Sequence, residues 1–270
     1  MGVKLKNALS ALSSFGGTKL GSVVFVGSGG PFDVEEGNAS ILLTLGAQKE
    51  RRRILVDCGP SVYASLRRMN AMDIDSIIIT SASEACMGSL GTLLTHIHYE
   101  RMAAGRMEAI EVICAPHVAD EVRSYLHMCG LGSLSASIVS VTKGLDVRFF
   151  DINSKDSAFA LCVDGANPMT ILYSGRIGVP VFQFVDQETM TALSKDPSNV
   201  IVFHDASPTE GSGGCHYERL SERSEEFRNF FIFGHSKEEG AKMIFNQRYM
   251  RSMSTNDRNN EFNIEKQLGI

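Results

Sequence analysis

Apolar runs three to six residues long recur along this chain, each followed by a small or polar residue. Val23–Val26, Ile41–Leu43, Ile54–Val56, Ile77–Ile79 and Val112–Cys114 lie in the first half. Ala158–Val163, Ile171–Tyr173, Val200–Phe203 and Phe230–Phe233 lie in the second. Runs this short, rich in β-branched and aromatic residues and without alternation, are the signature of strands buried on both faces. Between them, helical spacing predicts helices over 61–69, 90–105, 117–129, 187–195 and 237–247. The charged segment 48–52 joins two runs as a hairpin, and 164–168 (Asp-Gly-Ala-Asn-Pro) is a turn. Residues 137–150 read as strand and turn, and 208–215, glycine-rich, as loop. This order favours a sandwich of two mixed β-sheets with helices outside over a single parallel sheet.

Three regions follow: a lead-in over 1–20, one α/β domain over 21–250, and a polar, Asn-rich tail over 251–270 that is expected to be mobile or a contact arm. The chain has 270 residues, 43% hydrophobic and 21% charged, enough for a sizeable core. A net charge of −5 gives no reason to expect nucleic-acid binding. Six cysteines without a CxxC pair argue against a disulfide framework and suit a reducing compartment, so the cytoplasm is the expected location. The N-terminal apolar runs are too short for a signal peptide or membrane span.

The most informative stretch is the corner after Ile77-Ile78-Ile79-Thr80, where Ser81-Ala82-Ser83-Glu84-Ala85-Cys86 precedes a helical segment opening at Met87-Gly88-Ser89-Leu90. It resembles the metal-binding corner of the metallo-β-lactamase superfamily, which carries His-x-His-x-Asp-His. Further resemblances follow in the family's order: Gly27-Ser28-Gly29-Gly30, Ile54-Leu55-Val56-Asp57-Cys58-Gly59, Tyr173-Ser174-Gly175, Phe203-His204-Asp205-Ala206 and Phe233-Gly234-His235-Ser236. They span about residues 20–245. Length and glycine loop are most similar to the RNase Z-like branch, with tRNA 3′-processing endonucleases and the phage anti-Pycsar-type cyclic-nucleotide phosphodiesterases. The resemblance implies an αββα sandwich of two mixed β-sheets flanked by helices. It also implies a two-metal phosphodiester hydrolase, with a bridging hydroxide as nucleophile.

The residues at the implied ligand positions depart from that pattern. Ser81, Ser83, Ala85 and Cys86 stand at the four corner positions, and Arg176 replaces the bridging Asp. No histidine occurs in 149–157, and His235 alone keeps its expected identity. Neutral Ser is a poor zinc ligand and Ala is none, so no metal or other cofactor is expected. The expected function is a catalytically inactive pseudo-phosphodiesterase that acts as a binding or assembly protein. A nucleotide or phosphate ligand is its expected small-molecule partner. Two alternatives stay open: an active hydrolase with an atypical site, and a purely structural interaction protein.

Candidate ligand contacts are Arg176, whose donor fork suits phosphate, with Ser28, Gly29, Ser81, Ser83, His204, His216 and His235. Asp57 reads as a structural carboxylate capping a turn. Asp205 shares a strand end with His204, where a ligand contact and a supporting role are equally open. The loop 208–217 is placed to cover a pocket or to be an ordinary exposed loop. His96 and His98, at i and i+2 on a helix, face different ways and make no metal site. A homodimer through apolar helices is expected, and no membrane partner.

Overall fold

A computed structural model describes residues 20–46, 51–132, 136–163, 168–227, 229–245, 250–252 and 261–263. The lead-in (up to residue 19), the tips of the 48–52 and 164–168 turns, the end of the last predicted helix and most of the polar tail lie outside them.

Among the described residues there are thirteen strands, nine of them at the apolar runs. The first sheet contains β1 (Leu20–Gly27), β2 (Ser40–Leu45), β3 (Arg52–Val56), β4 (Ser76–Ile79), β5 (Ile110–Cys114), β6 (Ala136–Val139) and β13 (Glu261–Asn263). Its order is β13-β1-β2-β3-β4-β5-β6. The second, in order β12-β11-β10-β9-β8-β7, contains β7 (Asp146–Asp151), β8 (Ser157–Val163), β9 (Met169–Tyr173), β10 (Val200–Asp205), β11 (Asn229–Phe233) and β12 (Met250–Ser252). Each sheet is antiparallel on one side and parallel on the other. β1 pairs antiparallel with β2 and β13, and β3, β4, β5 and β6 run parallel. β7, β8 and β9 are antiparallel, and β9 to β12 parallel.

Strand parity makes the layers. Ile41, Leu43, Ile54, Val56 and Ile78 point from the first sheet into a shared core with Phe159, Leu161, Tyr173, Phe203, Phe231 and Phe233 of the second. Alternate residues of the first sheet (Leu42, Leu55, Ile77, Ile79, Val112) face α1 (Val62–Arg68), α3 (Leu90–Ala103) and α4 (Ala119–Met128). On the far face of the second sheet, Ala160, Leu172, Val202, Phe230 and Ile232 pack against α5 (Gln187–Lys195), α6 (Glu218–Ser224) and α7 (Lys237–Phe245). The strands built from the apolar runs, such as β2, β4, β10 and β11, are covered on both faces, which is why the sequence shows runs and not alternation there. The predicted αββα sandwich of two mixed sheets is what the chain forms. No helix among the described residues is long and apolar enough to cross a membrane, and the cysteines there form no disulfide.

Two differences from the predicted elements bear on the site. A separate turn of helix, α2 (Glu84–Met87), starts directly after Ser83, ahead of the predicted opening at Met87. It is kept apart from α3 by Ser89, whose Oγ donates to Gly59 O (2.6 Å) and accepts from Tyr63 N–H (3.2 Å). At the polar end of the chain, β12 and β13 add one edge strand to each sheet.

Candidate functional site

A cavity of about 230 Å³ opens where the carboxyl ends of β3, β9, β10 and β11 meet the glycine loop after β1. Ligands of open α/β sheets collect at such strand ends. Its wall includes Gly29, Asp57, Cys86, Tyr173, Arg176 and Asp205.

Asp57 holds the floor. It leaves β3 with φ +58°, a left-handed conformation that Asp tolerates better than most residues. Thr80 donates to its carboxylate from both N–H (2.9 Å) and Oγ1 (2.8 Å). The Tyr173 hydroxyl, from the second sheet, lies near enough to favour its ionised form slightly. Burial nevertheless outweighs these donors and lifts Asp57 to a pKa of about 6. The capping role expected for Asp57 is the one it has, and it is also part of the cavity wall.

The corner residues divide. Ala85 and Cys86 line the cavity; Ser81 and Ser83 do not. Ser81 is buried and donates its hydroxyl to Ser83 Oγ at 2.9 Å, and Ser83 N–H returns to Ser81 Oγ at 3.2 Å. Burial, reinforced by the nearby Asp57 charge, raises the Cys86 thiol well above its ordinary value. A thiol so raised is a poor nucleophile and a poor metal ligand.

Arg176 enters from the turn after β9. Gly175 precedes it at φ +61°, and a Cβ there would lie 2.5 Å from Ser157 O. The guanidinium is half-buried in the cavity wall, and among the described residues it donates no hydrogen bond and closes no ion pair. Asp205 lies deeper, 5% exposed, and burial raises it to about 7 against the opposing influence of Arg176.

Of the other predicted contacts Gly29 lines the cavity, and Ser28, His204, His216 and His235 do not. The Gly29 N–H donates to Gly37 O (2.7 Å) and the Ser28 N–H to Glu36 O (3.2 Å), so neither amide is open to a ligand. Ser28 Oγ donates to Glu36 Oε2. His235 is buried outside the lining, its pKa lowered by burial. His216 lies on a separate surface hollow with Glu210 and Arg219.

His204 faces away from the cavity. Its Nε2 accepts from Val181 N–H (2.9 Å), its Nδ1 bonds Asp205 O (2.7 Å), and its ring stacks on Phe230. Burial lowers it to about 4. The sequence reading placed His204 among the ligand contacts, yet its neighbour Asp205 is the cavity residue. Parity carries the signal: Phe203 belongs to the core between the sheets, so His204 must face the outer layer and Asp205 turns back inward. The loop predicted to lie near the pocket does reach it, through Pro208, Thr209, Ser212 and Gly214 of the same chain.

The two metals that the resemblance implies do not fit these residues. Among the described residues no three His, Cys, Asp or Glu side chains converge as a ligand set. Two corner hydroxyls are spent on each other, and a guanidinium occupies the wall where a bridging carboxylate is implied.

No protein-family model and no curated protein matches the sequence. Solved structures do. The metallo-β-lactamase fold protein YhfI from Bacillus subtilis superposes with a TM-score of 0.60 at 14% identity, covering 86% of this chain and 95% of its own. A diphosphatase of the PhnP family gives 0.64 at 10% identity over 89% and 96%. Unliganded yeast PDE1 gives 0.57 at 10% over 86% and 97%. At these identities the likeness establishes architecture, and with the two mixed sheets and their helical layers it identifies the chain as a protein of the metallo-β-lactamase fold.

Proposed function

We propose that this protein is a non-hydrolytic user of a hydrolase fold, binding a small phosphate-bearing ligand such as a nucleotide at Arg176 without cleaving it. The observation that carries this reading is the uncommitted guanidinium in the cavity wall, at the position where the family resemblance implies a metal-bridging carboxylate. An arginine there supplies the permanent positive charge that metal ions otherwise contribute to holding phosphate oxygens, and adds a planar donor fork that can hydrogen-bond them directly. The likeness to a diphosphatase supports phosphate as the chemistry to try first. Cleavage without metals would need a nucleophile and base in one place. Ser81 and Ser83 bond each other outside the cavity, and Cys86 is held as the thiol.

The test pairs elemental analysis with thermal shift. Protein purified without chelator is expected to carry no stoichiometric zinc or manganese. Its melting temperature should rise with one or more cyclic or linear nucleotides, and Arg176→Ala should abolish the rise. At a ligand concentration 100 times Kd the stabilisation is about 2.7 kcal/mol, a shift of a few degrees for a chain of this size. Two bound ions per chain, or a shift indifferent to Arg176, would defeat the proposal.

A further inference from the structure

The charged groups around the cavity are not equally committed. The Asp57 carboxylate is engaged by the N–H and the hydroxyl of Thr80. Glu239 accepts from the N–H (2.9 Å) and hydroxyl (3.0 Å) of Ser236 at the start of α7. Asp205 is different. Its carboxylate accepts from backbone only, with Ile177 N–H at 3.3 Å, and no side chain among the described residues donates to it.

Its position is nevertheless fixed. The Asp205 N–H donates to Ser174 Oγ at 2.9 Å. Gly234, at φ +85°, passes so close that a Cβ there would lie 2.0 Å from Asp205 Oδ1. A buried acceptor is thus held rigidly in the same wall as a guanidinium with unspent donors. Buried polar atoms of this kind are normally matched by a partner.

This arrangement discriminates between anions. A ligand that is only anionic is drawn to Arg176 but meets the Asp205 carboxylate in a space with little solvent to screen the repulsion. A donor beside the anionic group converts that contact into a charge-assisted hydrogen bond. The cavity, at about 230 Å³, has room for a headgroup-sized moiety.

We propose that the cavity selects ligands in which an ammonium or hydroxyl donor lies next to the anionic group, with the anion on Arg176 and the donor on Asp205. This rests on Arg176 as the anion anchor. The test is calorimetric titration of the full chain with O-phosphoethanolamine and with ethyl phosphate, which lacks the ammonium, at about pH 8, where Asp205 is ionised. The expected result is about tenfold or more tighter binding of O-phosphoethanolamine. Asp205→Asn should erase the preference, and Arg176→Gln should remove binding of both. The wild-type comparison holds whether or not the Asn variant folds. Equal affinity for the two probes, or a preference that survives Asp205→Asn, overturns the donor proposal. It leaves the Arg176 reading standing if Arg176→Gln still abolishes binding. Binding of neither probe overturns the donor proposal, and it leaves the Arg176 reading standing if nucleotides still raise the melting temperature through Arg176.

Discussion

At the scale of single residues, Asp57 shows how one carboxylate can serve the fold and the cavity together. It accepts bonds from both the N–H and the hydroxyl of Thr80 while its own backbone sits at positive φ. Asp57→Ala would leave the buried Thr80 N–H and hydroxyl without their acceptor, and would place a residue less tolerant of that conformation in the turn. Buried unsatisfied groups cost about 1–3 kcal/mol each and left-handed strain about 1 kcal/mol or more, so a loss of about 3 kcal/mol is expected in urea unfolding. Asp57→Asn, which retains an acceptor and tolerates the backbone, should lose markedly less. Equal losses for the two variants would mean that the carboxylate is not what holds this corner.

At the scale of elements, the site depends on how strand ends are joined. Ser157 at the start of β8 uses both its N–H (2.8 Å) and its hydroxyl (3.0 Å) to bond Thr80 O at the end of β4, fastening the two sheets beside the corner. Gly175 packs against the same point, with no space for a side chain. Gly175→Ala is therefore expected to cost about 2 kcal/mol or more, and to weaken ligand binding by displacing the adjoining Arg176. Urea unfolding and the thermal-shift assay read the two effects. A variant within about 0.5 kcal/mol of wild type would show that the junction yields easily.

These junctions also mark where the sequence is legible. Strand runs such as Ile54–Val56 and Phe230–Phe233 announce themselves, because burial on both faces demands unbroken apolar residues. The outline of the site is legible for a different reason: Gly29, Ala85, Cys86 and Arg176 sit at strand or loop ends whose order matches a known frame, and all four line the cavity. Side-chain direction at those ends is harder to read. His204 was indicated by its chemistry, but alternation along β10 turns it outward and gives the cavity to Asp205. Ser81 and Ser83 were indicated as donors, but a one-residue link between them lets each satisfy the other. The commitment of the Ser28 and Gly29 amides to Glu36 and Gly37 depends on a loop closure that spacing does not reveal.

At the scale of the whole molecule, burying titratable groups near one cavity makes stability depend on pH in opposing directions. Asp57 and Asp205 have folded pKa values of about 6 and 7 against an unfolded value of 3.8. The native state therefore holds protons that the unfolded chain has lost, and these two groups lower stability as pH rises from about 4 to 7. His204, with a folded value of about 4 against 6.5, does the reverse. The unfolded chain binds the extra proton between those values, so stability rises with pH there. The two trends oppose each other up to about pH 6.5, and above that Asp205 is the group still changing. Asp205→Asn isolates its share, because Asn does not titrate and His204 is common to both proteins. From about pH 6 to 8, wild type should lose about 1.4 kcal/mol relative to the variant, one pKa unit of linkage. Urea unfolding at half-unit pH steps measures that difference. Parallel curves would mean that Asp205 is ionised well below neutrality in the folded chain. The repulsion invoked against purely anionic ligands would then extend down to mildly acidic pH, whereas convergence at low pH ties ligand choice and stability to the same buried proton.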